Sequence, residues 1–136
     1  MKLFLDANVL FTAAHNPNGK AALVIELQAE ALWTLATSAY AREEAQRNIR
    51  IKAPDARKRL AAILEEIEVV EHRPNLDCPE RLVEKDRPIF QAALGCGASH
   101  LLTGDLKHFG PFMNRPDETF GVHVQTIAGF LESLGN

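Results

Sequence analysis

The fold class is most clearly indicated by residues 85–109, which read KDRPIFQAALGCGASHLLTGDLKHF. Pro88 suits the first turn of a helix, and the apolar run 89–94 continues that helix until two glycines close it. The short apolar segment His100–Leu102 then predicts a buried strand, and Asp105 follows its end. Because a helix that leads directly into a strand is part of a βαβ unit, this stretch predicts an α/β fold.

The same alternation of strands and helices extends over the rest of the chain. Four more apolar segments are typical of strands: residues 2–5, 33–37, 67–70 and 122–124. Helical spacing and helix-start residues predict four more helices: residues 20–31, 39–51 after an N-cap at Ser38, 54–64 and 126–134. Residues 16–19 form a turn cluster before the first of these helices. Right-handed crossovers between such strands give a mainly parallel sheet.

The composition is ordinary for one globular domain: 46% of the 136 residues are apolar, and we expect a single domain over residues 1–136. No run of about eighteen apolar residues occurs, which argues against a membrane-spanning helix. Asp6 interrupts the first apolar segment early and leaves no room for a secretory signal, so we expect a cytoplasmic protein. Cys78 and Cys96 have no cysteine partner at metal-ligand spacing, and we expect both to be reduced thiols.

The formal net charge of −3, taken alone, argues against nucleic acid as a partner. Two features weaken this objection. Four carboxylates on a metal ion would account for more than the whole excess of negative charge, and the basic residues are concentrated in one segment. Seven of the fifteen Lys and Arg residues lie between positions 42 and 59: Arg42, Arg47, Arg50, Lys52, Arg57, Lys58 and Arg59. This basic segment either contacts phosphates or forms a solvated helical face.

Two acidic side chains follow predicted strands. Asp6 lies at the carboxyl end of the first strand, and Asp105 lies just past the end of the fourth. In parallel sheets the carboxyl ends share one edge, and ligand sites form there where the strand order reverses. Since burying an unpaired carboxylate is costly, two of them at one edge indicate a shared counter-ion. Each Asp alone is better explained as a helix or turn cap, and only their common position favours a site.

Asp86 stands two residues before Pro88, and by itself it is best explained as a capping acid at a helix start. Its helix, however, leads into the strand that ends near Asp105. This connection places Asp86 in the region of the other two acids.

Helix geometry separates Glu43 from Glu44. An apolar stripe along the helix is formed by Ala41, Ala45 and Ile49. At 100° per residue, Glu43 lies nearly opposite this stripe and can pair with Arg47, which is typical of a solvated charge. Glu44 lies at the border of the stripe, with Asn48 one turn further on the same side. We therefore expect Glu44, rather than Glu43, to reach over the sheet edge.

Four carboxylates without a histidine or cysteine ligand pattern favour a hard cation, Mg²⁺ or Mn²⁺. The five histidines are His15, His72, His100, His108 and His123. None of them shows the HxxH or HxxxH spacing of a zinc site, which disfavours zinc. We expect His100 to pack in or beside its strand and His108 to lie at the surface rather than to approach a phosphate.

The acidic positions together resemble the motifs of the PIN-domain family. Residues 3–13, LFLDANVLFTA, resemble the family's opening. Residues 37–49, TSAYAREEAQRNI, resemble its second acidic motif, in which a hydroxyl residue precedes the acid by six positions, and this spacing also selects Glu44. Residues 85–109 are the strongest match and resemble the third and fourth motifs, including Thr103 two positions before the last Asp. The four motifs, in order, cover nearly the whole chain.

The resemblance implies a three-layer α/β/α domain that hydrolyses RNA with a bound metal ion. It assigns the metal ligands and catalytic acids to Asp6, Asp86 and Asp105, with Glu44 as a further ligand or water-positioning residue. It makes Asn8 and Thr103 supports of these acids and Asn48 a substrate contact. The candidate RNA-gripping residues are then Arg47, Arg50, Arg57 and Lys58. Within bacteria the resemblance suggests VapC-like toxins, which a small antitoxin usually holds inactive and which are often homodimers.

The chain departs from the family pattern at Arg87, where a small residue is more usual. Two other functions remain consistent with the sequence: a PIN-fold binding or regulatory module with weak or no catalysis, and a housekeeping RNA-processing nuclease. A phosphatase with an aspartyl nucleophile is disfavoured, because it would need a second Asp where this chain has Asn8. The two glycines after residue 94 close a helix rather than open one, which argues against a dinucleotide-binding loop.

Overall fold

The computed structural model describes residues 1–135; Asn136, the last residue of the expected domain, lies outside this range. The strands are β1 (Lys2–Leu5), β2 (Thr34–Ser38), β3 (Glu68–Val70), β4 (His100–Leu102) and β5 (His123–Gln125). They form one sheet in the order β3-β2-β1-β4-β5, and all four neighbouring pairs are parallel. The predicted parallel α/β sheet is therefore confirmed.

Seven helices surround this sheet: α1 (Ala7–His15), α2 (Lys20–Glu26), α3 (Ala39–Lys52), α4 (Arg57–Glu65), α5 (Arg87–Gly95), α6 (Leu106–Phe109) and α7 (Ile127–Leu134). Helices α1 to α4 pack on one another, α7 packs against α2, and α5 packs against β2 and β4. The connections β1–β2 and β2–β3 cross the sheet in one direction, and the connection β3–β4 crosses it in the opposite direction. Right-handed crossovers in opposite directions place α1–α4 and α5 on opposite faces, which gives the expected three layers.

The core lies on both faces of the sheet. Leu3, Phe4 and Leu5 are consecutive in β1 and all fully buried, as expected for a central parallel strand that is covered on each side. Near the other end of the chain, Phe130 of α7 contacts the Trp33 ring edge to face, with 5.2 Å between the centroids. None of the helices within residues 1–135 is both long and apolar enough to cross a bilayer.

Both cysteines are free thiols, as expected, and both are half-buried. Burial raises the pKa of the Cys78 thiol and of the Cys96 thiol, while nearby Arg87 and Lys2 respectively act in the opposite direction. Raised thiol pKa values reduce the thiolate fraction, so these side chains behave as apolar packing groups.

Helix α1 was not predicted from the sequence. Its residues include Asn8, Val9, Phe11 and Thr12, which are weak helix formers. Tertiary packing supplies the missing stability, because five of its nine residues are buried: Ala7, Val9, Leu10, Ala13 and Ala14. The first predicted crossover therefore contains two helices rather than one.

The other element boundaries differ from the predictions by small amounts. The helix predicted over residues 20–31 ends as α2 at Glu26 and continues as a 3-10 turn, Leu27–Glu30, which Ala31 closes in the left-handed region with φ of 59°. The segment that opens at Pro54 begins as a 3-10 turn, Pro54–Ala56, before α4. The predicted strands at residues 33–37 and 122–124 are each shifted by one residue in β2 and β5.

The strand order reverses between β1 and β4. Strands β2 and β3 follow β1 on one side, whereas β4 and β5 lie on the other. A crevice at such a switch point, beyond the carboxyl ends of the strands, is where open α/β sheets bind ligands. In this chain the crevice lies at Asp6 and at the segment after Leu102.

Candidate active site

Asp6 joins β1 to α1 at the switch point. It is 5% exposed, and its carboxylate accepts three hydrogen bonds. Oδ1 accepts from the Ala7 backbone N–H at 2.7 Å, and Oδ2 accepts from Thr103 Oγ1 at 2.7 Å and from Asn8 Nδ2 at 3.2 Å. The first bond also caps α1. The carboxylate is thus fixed in a single orientation at the edge of the sheet.

Thr103 and Asn8 connect this carboxylate to the segment after β4. Thr103 is fully buried, and its hydroxyl oxygen also accepts from the backbone N–H of Asp105 at 3.1 Å. Asn8 Nδ2 donates to Thr103 Oγ1 at 3.3 Å, and Asn8 Oδ1 accepts from the Gly104 N–H at 2.7 Å. The two side chains expected to support the acids therefore lie between Asp6 and Asp105.

Asp105 precedes α6 and caps it: its Oδ1 accepts from the His108 backbone N–H at 3.1 Å. The capping interpretation of Asp6 and Asp105 is therefore correct for both residues. It does not compete with a site, because each cap leaves the carboxylate at the carboxyl edge of the sheet.

His108 lies between two carboxylates, which corrects the expectation of a surface position. Its side chain is 18% exposed, and its Nδ1 lies 2.8 Å from Asp86 Oδ2 and 3.1 Å from Asp105 Oδ2. Within residues 1–135, these three side chains are the one group of His, Cys, Asp or Glu ligand atoms that lie within 4.8 Å of one another. Spacing along α6, with His108 three residues after Asp105, was the available sequence signal.

Asp86 ends the 3-10 turn Glu84–Asp86 directly before α5, where Pro88 occupies the first turn as predicted. Its Oδ2 atom is buried, yet no hydrogen-bond donor is aligned with it. A buried carboxylate oxygen in this state is a position that a cation would satisfy. The donor set around it, two carboxylates and an imidazole, is chemically suited to a divalent metal ion.

Asp6 and Glu44 are not part of the group formed by Asp86, Asp105 and His108. Charge interactions nevertheless connect Glu44 and Asp86 to Asp6. The pKa of Asp6 is raised to about 6, chiefly by burial and also by the charges of Glu44 and Asp86, against the opposing hydrogen bonds from Thr103 and Ala7. Burial also raises the pKa of Asp86, where His108 opposes the rise and Asp105 adds to it. Glu44 and Asp86 therefore lie close enough to act on Asp6, and Asp105 lies close enough to act on Asp86.

Helix α3 presents Glu44 and not Glu43 to this neighbourhood. The helix begins at the sheet edge because Ser38, the last residue of β2, caps it by accepting from the Ala41 N–H at 3.0 Å. Glu43 is exposed, whereas Glu44 and Asn48 are half-buried beside the buried stripe. The geometry predicted from the 100° spacing is confirmed.

The basic segment divides into a part near the acids and a part far from them. Arg47 and Arg50 are exposed on α3, and Arg50 is displaced from Glu44 by about 9 Å along the helix axis. Arg57 and Lys58 are exposed at the start of α4, beyond the far end of α3.

Arg87, the departure from the expected motif, turns away from the acids. Its guanidinium donates to the carbonyl oxygens of Leu82 and Glu80, each at 3.3 Å. These two bonds tie the guanidinium to the segment that precedes α5.

A groove of about 500 Å³ opens beside the acids. Its lining includes Asn8, Thr12, Lys20, Thr103 and Thr126. It shares Asn8 and Thr103 with the hydrogen-bond network around Asp6. None of the four acids lines the groove, which adjoins the site through these two side chains.

Comparisons with known proteins give matches among solved structures only: no family model and no curated protein matches the chain. The first similar structure is VapBC2 from Rickettsia felis bound to a DNA fragment from their promoter. The match has a TM-score of 0.65 at 17% identity and covers 93% of this chain and 98% of that one. The chain has the PIN fold.

Two further structures have the same fold. VapBC-1 from nontypeable Haemophilus influenzae matches with a TM-score of 0.57 at 16% identity, covering 94% of this chain and 99% of that one. VapC20 of Mycobacterium tuberculosis, a Sarcin-Ricin loop cleaving toxin, matches with a TM-score of 0.58 at 15% identity, covering 80% and 94%. The resemblance of the acidic motifs to the PIN domain therefore extends to the whole fold.

Proposed function

We propose that this chain is a divalent-metal-dependent endoribonuclease and the toxin of a toxin–antitoxin pair. One observation carries the proposal: four acids from distant segments meet at the switch point of a PIN fold. These acids are Asp6, Glu44, Asp86 and Asp105. The charges of Glu44 and Asp86 raise the pKa of the buried Asp6, Asp105 raises that of Asp86, and a cation would relieve this repulsion; the neighbour VapC20 is a cleaving toxin.

The acids hold the metal ion, and other side chains hold the acids. Asp86 and Asp105 would bind the ion, with Asp6 and Glu44 completing its surroundings or positioning water. Bound Mg²⁺ or Mn²⁺ supplies Lewis-acid stabilisation of phosphoryl oxygens and a more acidic water. Thr103 keeps the Asp6 carboxylate in place through its 2.7 Å hydrogen bond. Without the cation, the clustered negative charge would repel a phosphodiester.

The RNA strand would reach the acids through the groove beside Asn8. Asn48 lies one turn along α3 from Glu44, where it can contact the strand. Arg47 and Arg50 follow on the same helix, and a strand of about 20 Å would reach from the acids to Arg57 and Lys58. Contacts of this kind with phosphates would make RNA affinity fall with rising salt.

The proposed protein partner is inferred from the similar solved structures and not from this chain alone. Two of the similar structures are VapBC structures, one of them with promoter DNA, and by analogy we propose a small antitoxin as the partner. A homodimer in the cytoplasm is the arrangement proposed for the toxin. A binding module or a housekeeping nuclease on the same fold would lack the antitoxin.

The test is cleavage of a labelled single-stranded RNA by the purified chain in Mn²⁺, in Mg²⁺ and in EDTA. We expect cleavage with metal and none in EDTA. Asp6→Asn should reduce the metal-dependent rate by about 1000-fold or more, because it removes a carboxylate from the site. Asp77→Asn is the matched control, since Asp77 is exposed and distant in sequence from the four motifs.

A contaminating nuclease would cleave equally in the wild-type and Asp6→Asn preparations. Equal cleavage by the two proteins, or cleavage that persists in EDTA, would contradict the nuclease assignment. Loss of activity in Asp77→Asn as well would show that the loss in Asp6→Asn is not specific to the site.

A further inference from the structure

The imidazole of His108 occupies a place where a cation would be expected. Its Nδ1 contacts Asp86 Oδ2 at 2.8 Å and Asp105 Oδ2 at 3.1 Å, and the side chain is largely buried. The two carboxylates come from separate segments, one before α5 and one after β4. A nitrogen atom between them is in contact with both halves of the site.

The Nδ1 proton is well aligned with only one of the two oxygens. The aligned hydrogen bond joins Nδ1 to Asp105 Oδ2, and Asp86 Oδ2 remains a buried oxygen without an aligned donor, although it is the closer of the two. In the tautomer that carries the proton on Nε2, Nδ1 presents a lone pair instead. All three atoms then become acceptors around one point, and a divalent cation there would bind all three.

The spacing of these atoms suits an octahedral metal ion. Adjacent ligands of an ion with bonds of about 2.1 Å lie about 3 Å apart. The two Nδ1 to oxygen distances, 2.8 and 3.1 Å, agree with this spacing, and the whole trio lies within 4.8 Å. Metal binding would therefore need little rearrangement of His108.

We propose that His108 Nδ1 is a ligand of the metal ion and that this nitrogen donor makes the site prefer Mn²⁺ to Mg²⁺. The inference rests on the proposed function in one respect, that the acids bind a divalent ion. Mg²⁺ takes oxygen ligands and gives up its waters reluctantly, whereas imidazole is a common ligand of transition metals. A site made only of carboxylates has no nitrogen ligand and would not gain a preference for Mn²⁺ over Mg²⁺ in this way.

The test is electron spin-echo envelope modulation of Mn²⁺ bound to the purified chain, together with titration calorimetry of Mn²⁺ and Mg²⁺. Directly bound imidazole gives a ¹⁴N modulation, which we expect in the wild type and not in His108→Gln. We expect His108→Gln to raise the Kd for Mn²⁺ by about 10- to 100-fold and the Kd for Mg²⁺ by much less.

Two further variants exclude indirect effects. His15→Gln is the matched control, because His15 is exposed at the end of α1, and it should keep the modulation and both Kd values. His108→Asn retains a polar group next to the acids, and it should lose the modulation while unfolding at a temperature close to that of the wild type in EDTA. A misfolded variant would be recognised by that unfolding measurement.

The inference is overturned if wild-type protein with bound Mn²⁺ shows no ¹⁴N modulation, or if His108→Gln retains it. Cleavage assays separate this failure from failure of the proposed function. Metal-dependent RNA cleavage without the modulation would remove the His108 ligand and leave the nuclease. The modulation without any RNA cleavage would leave the metal site and remove the nuclease.

Discussion

The two ends of the sheet bury ionisable side chains in different ways. At the amino end, His100 and His123 begin β4 and β5, and their rings stack with 5.1 Å between the centroids. His100 Nδ1 also lies 2.7 Å from Ser99 Oγ, and Phe130 packs edge to face on the same ring. The prediction that His100 packs beside its strand is confirmed. At the carboxyl end, Asp6 is buried among other acids.

Burial favours the neutral form at both ends, but with opposite consequences at neutral pH. It lowers the pKa of His100 to about 4, helped by the nearby His123, so that this ring is uncharged. It raises the pKa of Asp6 only to about 6, so that this carboxylate is still ionised at pH 7. The amino end therefore needs no ligand to balance charge, whereas the carboxyl end carries negative charge that a bound cation would balance.

The first and largest of these three effects tests which acidic side chains belong to the carboxyl end of the sheet. Glu44→Gln should lower the rate of metal-dependent RNA cleavage by about 100-fold, because it removes a carboxylate that acts on Asp6. Glu43→Gln, one position away on the exposed side of α3, should change the rate by less than about twofold. Rates of RNA cleavage under single-turnover conditions measure both. Equal losses of cleavage rate in the two variants would contradict the assignment of Glu44 to the site.

The second effect is on the free energy of unfolding, and it tests whether the buried Asp6 carboxylate needs a cation. The folded state binds a proton at Asp6 more tightly than the unfolded state, so stability falls as pH rises from about 4 through about 6. In EDTA at pH 7, Asp6→Asn should therefore be more stable than the wild type, by about 1 to 2 kcal/mol after allowance for the impaired hydrogen bonds with Thr103 and Asn8. Urea unfolding followed by Trp33 fluorescence measures the difference.

Saturating Mn²⁺ should reverse this order, because the ion binds the folded wild type and stabilises it. A variant that is less stable than the wild type in EDTA would show that the hydrogen bonds of the Asp6 carboxylate outweigh the cost of its buried charge.

The smallest effect is on the pH dependence of stability and concerns His100 at the amino end of the sheet. Here the unfolded state binds the proton more tightly, so the stability associated with His100 is complete above about pH 6.5 and declines as the pH falls toward 4. His100→Phe should remove about 1 kcal/mol of this decline, a value reduced for partial solvent screening. Urea unfolding at pH 7 and pH 5 in EDTA measures it. A decline of the same size in both proteins would assign it to other groups.

Local patterns in the sequence located the elements that carry the acids. The strand His100–Leu102 was predicted with its observed bounds, and Ser38 was identified as a helix cap. Glu44 was chosen over Glu43 from helical spacing alone, and the structure places it on the predicted side. These inferences succeeded because alternation, helical periodicity and capping act over a few neighbouring residues.

Helix α1 and His108 show where local reasoning failed. The residues of α1 form a helix because the sheet and the neighbouring helices bury one side of it, and propensity within the segment does not report this. The sequence led to a surface position for His108, which the structure corrects. Its partner is Asp86, twenty-two positions earlier, and such a contact leaves no local trace.

By itself, the sequence determined the alternation of strands and helices, the positions of the acids at strand and helix ends, and the side of α3 that carries Glu44. Only the tertiary structure decided that β4 lies beside β1, and hence that Thr103 bonds Asp6 and that His108 lies between Asp86 and Asp105. The reason is physical: periodicity and capping depend on near neighbours, whereas the separation of two distant side chains depends on the order in which the strands pack.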